Sequence, residues 1–158
     1  MLRDHGMSRE RRYWHLMPGF NYRMTNLQAA VGCAQMELLD RFVARKRSIA
    51  ARYTRELSGL AGASPIPEPP WARSACWFSG IVVPPDRQPA LIRDLRGAGI
   101  DARPFWKPIH LQPPFSGSPF TPAPASEAVW RSLLTLPCST SITDEEQSTV
   151  IAAVRRLW

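Results

Sequence analysis

The stretch TNLQAAVGCAQMELLDRFVARKRSIAARYTREL, Thr25 to Leu57, decides how the rest of the chain can be arranged. Thr25 and Gln28 have the spacing of a capping box, in which a hydroxyl and an amide satisfy the orphan N–H groups of a first helical turn. Beyond them Leu27, Val31, Ala34, Leu38, Phe42, Ile49, Tyr53 and Leu57 recur at close to the helical period. Glu37 and Arg41 stand four apart on the polar side, a spacing that suits an ion pair. The pattern predicts one long amphipathic helix over 25–58, ended by Gly59 and Gly62.

Immediately ahead of this helix lies GFNYRM, Gly19 to Met24, which crowds Asn21, Tyr22 and Arg23 against the cap. These residues can close a turn on themselves, with Arg23 paired to an acidic neighbour. They can also hold an anion, because an amide, a guanidinium and free N–H groups at a helix start suit a phosphate. Both readings stand on the residues alone.

After the helix, residues 59–75 form a proline-rich connector without helical or strand period. CWFSGIVV, Cys76 to Val83, reads as a strand stopped by Pro84. Asp86 can cap a short helix carrying Leu91, Ile92 and Leu95, which Gly97 and Gly99 end. IDARPF, from Ile100, reads as a second strand. It runs into a segment too proline-rich for regular structure and too long for an idle connection. A helix over about 125–134, an extended piece at LPCS (Leu136 to Ser139) and a last helix capped by Thr143 and Glu146 complete the chain. The order predicts an α/β or α+β fold, a small sheet covered by helices. Four segments result: 1–24, the helix 25–58, the connector 59–75, and a small domain 76–158 containing a loop over 103–124.

Composition narrows the partners. With 158 residues and 44% hydrophobic residues the chain can build a real core. A net charge of +7 suits an anionic partner, although much of it sits in Ser8 to Arg12 and Arg41 to Arg47, where it can be a solvated surface. No nucleic-acid-binding motif accompanies the charge. Cys33, Cys76 and Cys138 are odd in number and widely spaced, which argues against a disulfide framework and a zinc site. The first residues lack the apolar core of a signal peptide, and no apolar run is long enough to span a bilayer. A cytoplasmic location without membrane contact is expected.

Chemistry is sparse. His5, His15 and His110 are the only histidines, and none has metal-ligand spacing. Dinucleotide, P-loop and nucleophile-elbow motifs are absent. What remains is RPFWKPIHLQP, Arg103 to Pro113, which sets Trp106, Lys107, His110 and Gln112 in a proline-stiffened loop. Such a loop suits a binding-site wall, or simply covers a core with its aromatics.

LRDHG, GFNYRMTNLQAAVGCAQMELLD, RPFWKPIHLQPPF and LPCSTSITDEEQSTVIAAVRRL, in this order, resemble the C-terminal part of the DegT/StrS-type sugar aminotransferases. These are fold-type-I enzymes that use pyridoxal 5'-phosphate (PLP) to aminate keto-sugar nucleotides. The resemblance implies that the long helix leads into the small C-terminal domain of that fold. It further implies that Asn21, and with it Arg23, holds the cofactor phosphate across a dimer interface. His110, Trp106 and Lys107 then belong to the sugar-nucleotide pocket. Lys107 can meet a nucleotide phosphate as a point charge.

The same resemblance places the Schiff-base lysine just before the LRxHG motif, in a larger domain that also carries the parallel sheet. The two lysines here, Lys46 and Lys107, match neither that position nor its role. The chain alone is therefore expected to be inactive, to contain no catalytic residue of its own, and to expose apolar helix surface meant for the larger domain or a second subunit. PEPPWARSACWFSGIVV and FWKPIHLQP look most like the branch that aminates UDP-4-keto-6-deoxy-N-acetylhexosamines for glycan synthesis, with glutamate as amino donor. The alternative is a non-catalytic binding or interaction module that keeps the interface and the loop.

Overall fold

A computed structural model describes residues 2–158, which divide between Asp40 and Arg41 into two compact units. The first holds a looped N-terminal segment and helix α1 (Asn26–Met36). Its capping box is present: Thr25 Oγ1 accepts from Gln28 N–H at 3.3 Å, and the Gln28 side chain accepts from Thr25 N–H at 2.9 Å.

The expected single helix is two. α1 ends at Met36, two residues turn, and α2 runs over Leu39–Leu57. At the break Leu38 N–H donates to Gln35 O, three residues back, where a continuing α-helix would use the fourth. The expected Glu37–Arg41 ion pair does not form, since Glu37 caps α1 while the Arg41 guanidinium lies 5.9 Å from the Phe42 ring. The two helices also differ in burial. No residue of α1 is buried, and Leu27 and Val31 are 82% and 64% exposed. In α2, Ile49, Tyr53 and Leu57 are buried at four-residue spacing, one stripe of the helix.

The second unit is built on a four-stranded antiparallel sheet in the order β1-β2-β4-β3. Its centre pairs β2 (Ser79–Val82) with β4 (Leu133–Leu136), Gly80 opposite Thr135 and Ile81 opposite Leu134. The edges are two-residue strands, β1 (Ser64–Pro65) and β3 (Arg103–Pro104). Short, proline-bearing edges offer little template for further pairing. Helices α3 (Gln88–Gly97) and α5 (Asp144–Leu157) join α2 in the core. That core gathers Ile49, Tyr53 and Leu57 with Ile81, Leu95, Leu134, Ile151 and Val154. This is the expected small sheet under helices, in its α+β form.

Local expectations were met unevenly. Thr143 and Glu146 form the second capping box, with acidic residues in the first turn of α5 and Arg155 and Arg156 in its last, both favourable to the helix dipole. Asp86 does not cap α3. Arg87 occupies that position without a side-chain bond, and Pro89 pre-sets the first turn. The expected helix over 125–134 stops at Ser132, as α4 (Pro124–Ser132). The strand read at Leu136 to Ser139 lies three residues earlier, because Leu133–Leu136 is the segment that pairs with β2. β1 lies in the connector that was expected to lack strands, and Ile109–Leu111 and Pro113–Phe115 form 3-10 turns in the loop expected to be irregular.

Three polar side chains lock this unit. Buried Gln147 donates from Nε2 to Ile49 O at 2.9 Å, joining α5 to α2. Buried Gln88 donates to Trp130 O and Leu133 O, both at 2.9 Å. Lys46 Nζ donates to Trp77 O at 2.7 Å and Cys138 O at 2.6 Å, so α2 ties the segments flanking β2 and β4 together. Charge-assisted bonds of this kind are the stronger ones. Lys46→Met is expected to cost about 2–3 kcal/mol in urea unfolding, because it strands two carbonyls beneath an apolar stem. A loss below about 0.5 kcal/mol would show that the pin is ornamental.

Candidate cofactor and substrate surfaces

In the first unit, the residues that looked overcrowded in the sequence form a clasp. Phe20 N–H donates to Leu2 O at 2.7 Å, His5 N–H to Phe20 O at 3.0 Å, and Tyr22 N–H to Arg3 O at 2.9 Å. Asp4 and Asn21 face each other as an antiparallel bridge. The motif glycines permit this approach. A Cβ on Gly19 would sit 2.2 Å from Gly6 N, and one on Gly6, whose φ is +66°, would sit 2.0 Å from Met17 O. LRDHG and GFNYR are thus two halves of one backbone structure that presents a short segment.

The clasp leaves Asn21 exposed, and among the described residues its side chain makes no hydrogen bond. Arg23 Nη1 donates to Asp4 Oδ2 at 3.1 Å, the acidic-neighbour reading of the sequence. Both partners are largely exposed, and such pairs contribute about 0–1 kcal/mol, so the guanidinium can be exchanged to a stronger anion. The helix start is less available, since Gln28 N–H is already taken by the Thr25 cap. The groups open to an anion at this helix start are therefore side chains.

In the second unit the pocket loop separates the three residues that the sequence grouped. Trp106 and Lys107 line a groove with Phe105, Pro108 and Ile109, closed on its other side by Ala125, Ser126 and Val129 of α4. Lys107 Nζ lies 5.5 Å from the centre of the Trp130 ring, a cation–π distance. His110 is not on that groove. Its side chain is 9% exposed, stacked on Phe120 with centroids 4.7 Å apart and planes at 7°, and its Nε2 lies 3.2 Å from Glu127 Oε1. It fastens the loop to α4 from behind.

Other charged groups near the loop are spent locally. Arg103 donates from Nε to Asp101 at 2.9 Å, and this bond holds the Asp101 carboxyl below its ordinary range and the guanidinium above its own. One residue went unremarked in the sequence except as part of a strand: Trp77 precedes β2, its ring 68% exposed and 5.7 Å from that of Trp106. No residue type marks this place in the sequence, because the chain turns there at Cys76, which adopts a left-handed φ of +52° just before the strand begins.

Residues 1–155 match the DegT/DnrJ/EryC1/StrS aminotransferase family. The chain belongs to this family. Members are PLP-dependent sugar aminotransferases. GDP-perosamine synthase of Caulobacter vibrioides is 33% identical over 161 residues, covering 98% of this chain and 43% of that protein. The dTDP-3-amino-3,4,6-trideoxy-alpha-D-glucose transaminase of Streptomyces venezuelae is 32% identical over 163 residues, covering 98% of this chain and 41% of that one. Among solved structures, DesV of S. venezuelae in complex with a ketimine intermediate superposes with a TM-score of 0.85 at 31% identity, covering 99% of this chain and 42% of that one. The aminotransferase TlmJ from Streptoalloteichus hindustanus gives a TM-score of 0.87 at 27% identity, with the same coverage. The chain thus spans about two fifths of the length of these family members. Among the described residues no helix is long and apolar enough to cross a membrane.

Proposed function

We propose that this chain is the C-terminal portion of an aminotransferase that uses PLP to place an amino group, drawn from glutamate, on a nucleotide-linked keto-sugar. The observation that carries the reading is the clasp, whose glycine-dependent backbone contact leaves the Asn21 amide exposed and, among the described residues, without a hydrogen bond. That donor, with Arg23 weakly held beside it, fits the phosphate of PLP. When bound, the cofactor supplies the electron sink for amino transfer. Asn21 would hold that phosphate through its amide N–H, and Arg23 would add charge beside it. Trp106 and Lys107 form a wall for the sugar nucleotide, with His110 holding the loop that carries them.

No group of this chain serves as the covalent anchor. Lys46 is committed to Trp77 O and Cys138 O, and Lys107 lies over Trp130, so neither is a free amine in a cofactor site. The anchor lies outside residues 1–158, and the apolar residues exposed along α1, Leu27 and Val31 among them, are the surface that meets the larger domain or a second subunit. The chain by itself is inactive on this reading. The relatives' names carry GDP and dTDP at nearly equal identity, so the substrate class is the nucleotide-linked keto-sugar. The resemblance of PEPPWARSACWFSGIVV and FWKPIHLQP to one branch of the family supports a UDP-4-keto-6-deoxy-N-acetylhexosamine within it.

The test is to mix this chain with polypeptide supplying the larger aminotransferase domain and titrate PLP, following visible absorbance of the bound cofactor. Asn21→Ala is expected to weaken PLP binding by about 10- to 150-fold, the loss of one hydrogen bond to a charged group. Covalent PLP uptake by the chain alone, abolished by Lys107→Ala, would contradict the assignment.

A further inference from the structure

Trp106 of the proposed wall forms an exposed corner with Trp77, a ring to which the site described above gives no role. Trp77 is 68% and Trp106 58% exposed, with centroids 5.7 Å apart and planes at 51°. Two less exposed rings support them from behind. Phe78 meets Trp106 edge-on at 5.0 Å, and Phe105 lies 4.8 Å from it. Trp77 also touches Phe78 at 4.7 Å. The main chain beneath is fixed as well, because the Trp77 carbonyl accepts from Lys46 Nζ and Ser79–Val82 is the central strand of the sheet. Exposed indoles held this firmly lose little freedom when a flat partner lands on them.

We infer that Trp77 and Trp106 stack the base of the nucleotide that carries the sugar, making Trp77 a binding residue of this site. The inference rests on the nucleotide-sugar reading above and deepens it. A planar base fits the corner better than an apolar protein surface does. The two rings are the exposed aromatic part of this face, beside Ile109 and Val129 of the groove, and Trp106 continues directly into Lys107, a cation on the wall of that groove. A flat ring beside a phosphate-pairing charge is the pattern of a nucleotide, and aromatic stacking tolerates any base. Recognition of the base is therefore by its face and not its edge.

Nucleotide binding to the full chain tests this without cofactor or turnover. UMP, dTMP, GMP and ribose 5-phosphate are titrated separately, with tryptophan fluorescence and saturation-transfer NMR on the base protons as readouts. The nucleotides are expected to bind with base protons saturated, and ribose 5-phosphate at least about fivefold more weakly. Trp77→Ala is expected to lower nucleotide affinity by roughly 5- to 150-fold, the range of one lost stacking contact, while Trp77→Phe keeps most of it. Unfolding curves of each variant establish that the fold is kept. Nucleotide affinity unchanged in a folded Trp77→Ala, or no nucleotide binding at millimolar concentration, overturns the inference. PLP binding that depends on Asn21 would survive either result, so failure of the platform is distinguishable from failure of the aminotransferase assignment.

Discussion

Gly80→Ala is expected to abolish cooperative folding of the second unit. A Cβ at Gly80 would lie 2.0 Å from the Leu134 carbonyl oxygen, 2.9 Å from its carbon and 3.0 Å from the Thr135 Cα. All three are backbone atoms, so no side chain can swing aside. Relief requires β2 and β4 to separate at the middle of their four-residue register, where Gly80 faces Thr135. That pair is the centre of the sheet, and both edge strands depend on it. Separation also withdraws Ile81 and Leu134, which are buried to 2% and 0% exposure. We expect a loss above about 4 kcal/mol, a large part of the 5–15 kcal/mol of a typical domain. Circular dichroism during urea unfolding checks this, and a variant melting within a few degrees of wild type would show that the strands can yield.

Tyr53→Ala is expected to cost about 3–5 kcal/mol, the range for emptying a large aromatic site. The ring is 0% exposed on the buried stripe of α2, and its hydroxyl donates to Pro137 O at 2.8 Å. Tyr53→Phe separates the two contributions, since it keeps the ring and loses about 1 kcal/mol with the hydroxyl. It should also alter the response to alkali. Burial, with a smaller contribution from the Cys138 thiol, raises the phenol well above its ordinary value near 10. As pH rises past about 10 the unfolded chain releases this proton while the native state still holds it, so stability falls with pH from there upward. Below that pH the contribution is complete. Unfolding free energies above pH 10 should therefore decline less steeply in Tyr53→Phe than in wild type. Parallel slopes would mean that another group controls the alkaline limit.

What could be read from the residues was whatever depends on near neighbours. The two capping boxes formed because Thr25 with Gln28 and Thr143 with Glu146 need only three residues of separation. The break between α1 and α2 escaped notice for the complementary reason: no Gly or Pro lies at positions 37–38, and the apolar spacing runs through it unchanged. β4 was displaced by three residues because Leu133 and Leu134 suit a helix end as well as a strand, and only pairing with Ser79–Val82 selects Leu133–Leu136. His110 shows the same limit at the site. Its neighbours in sequence line a groove, whereas its own ring is claimed by Phe120 and Glu127, ten and seventeen positions away.

Helix capping, the apolar stripe of α2 and the motif order that marks the family are properties of the chain as written, because hydrogen-bond geometry over three or four residues and side-chain spacing do not wait for distant contacts. The clasp between Gly6 and Gly19, the strand register around Gly80 and the pairing of Trp77 with Trp106 were settled by folding. Each joins backbone or rings more than ten positions apart, and close packing, not local preference, selects one such arrangement among many.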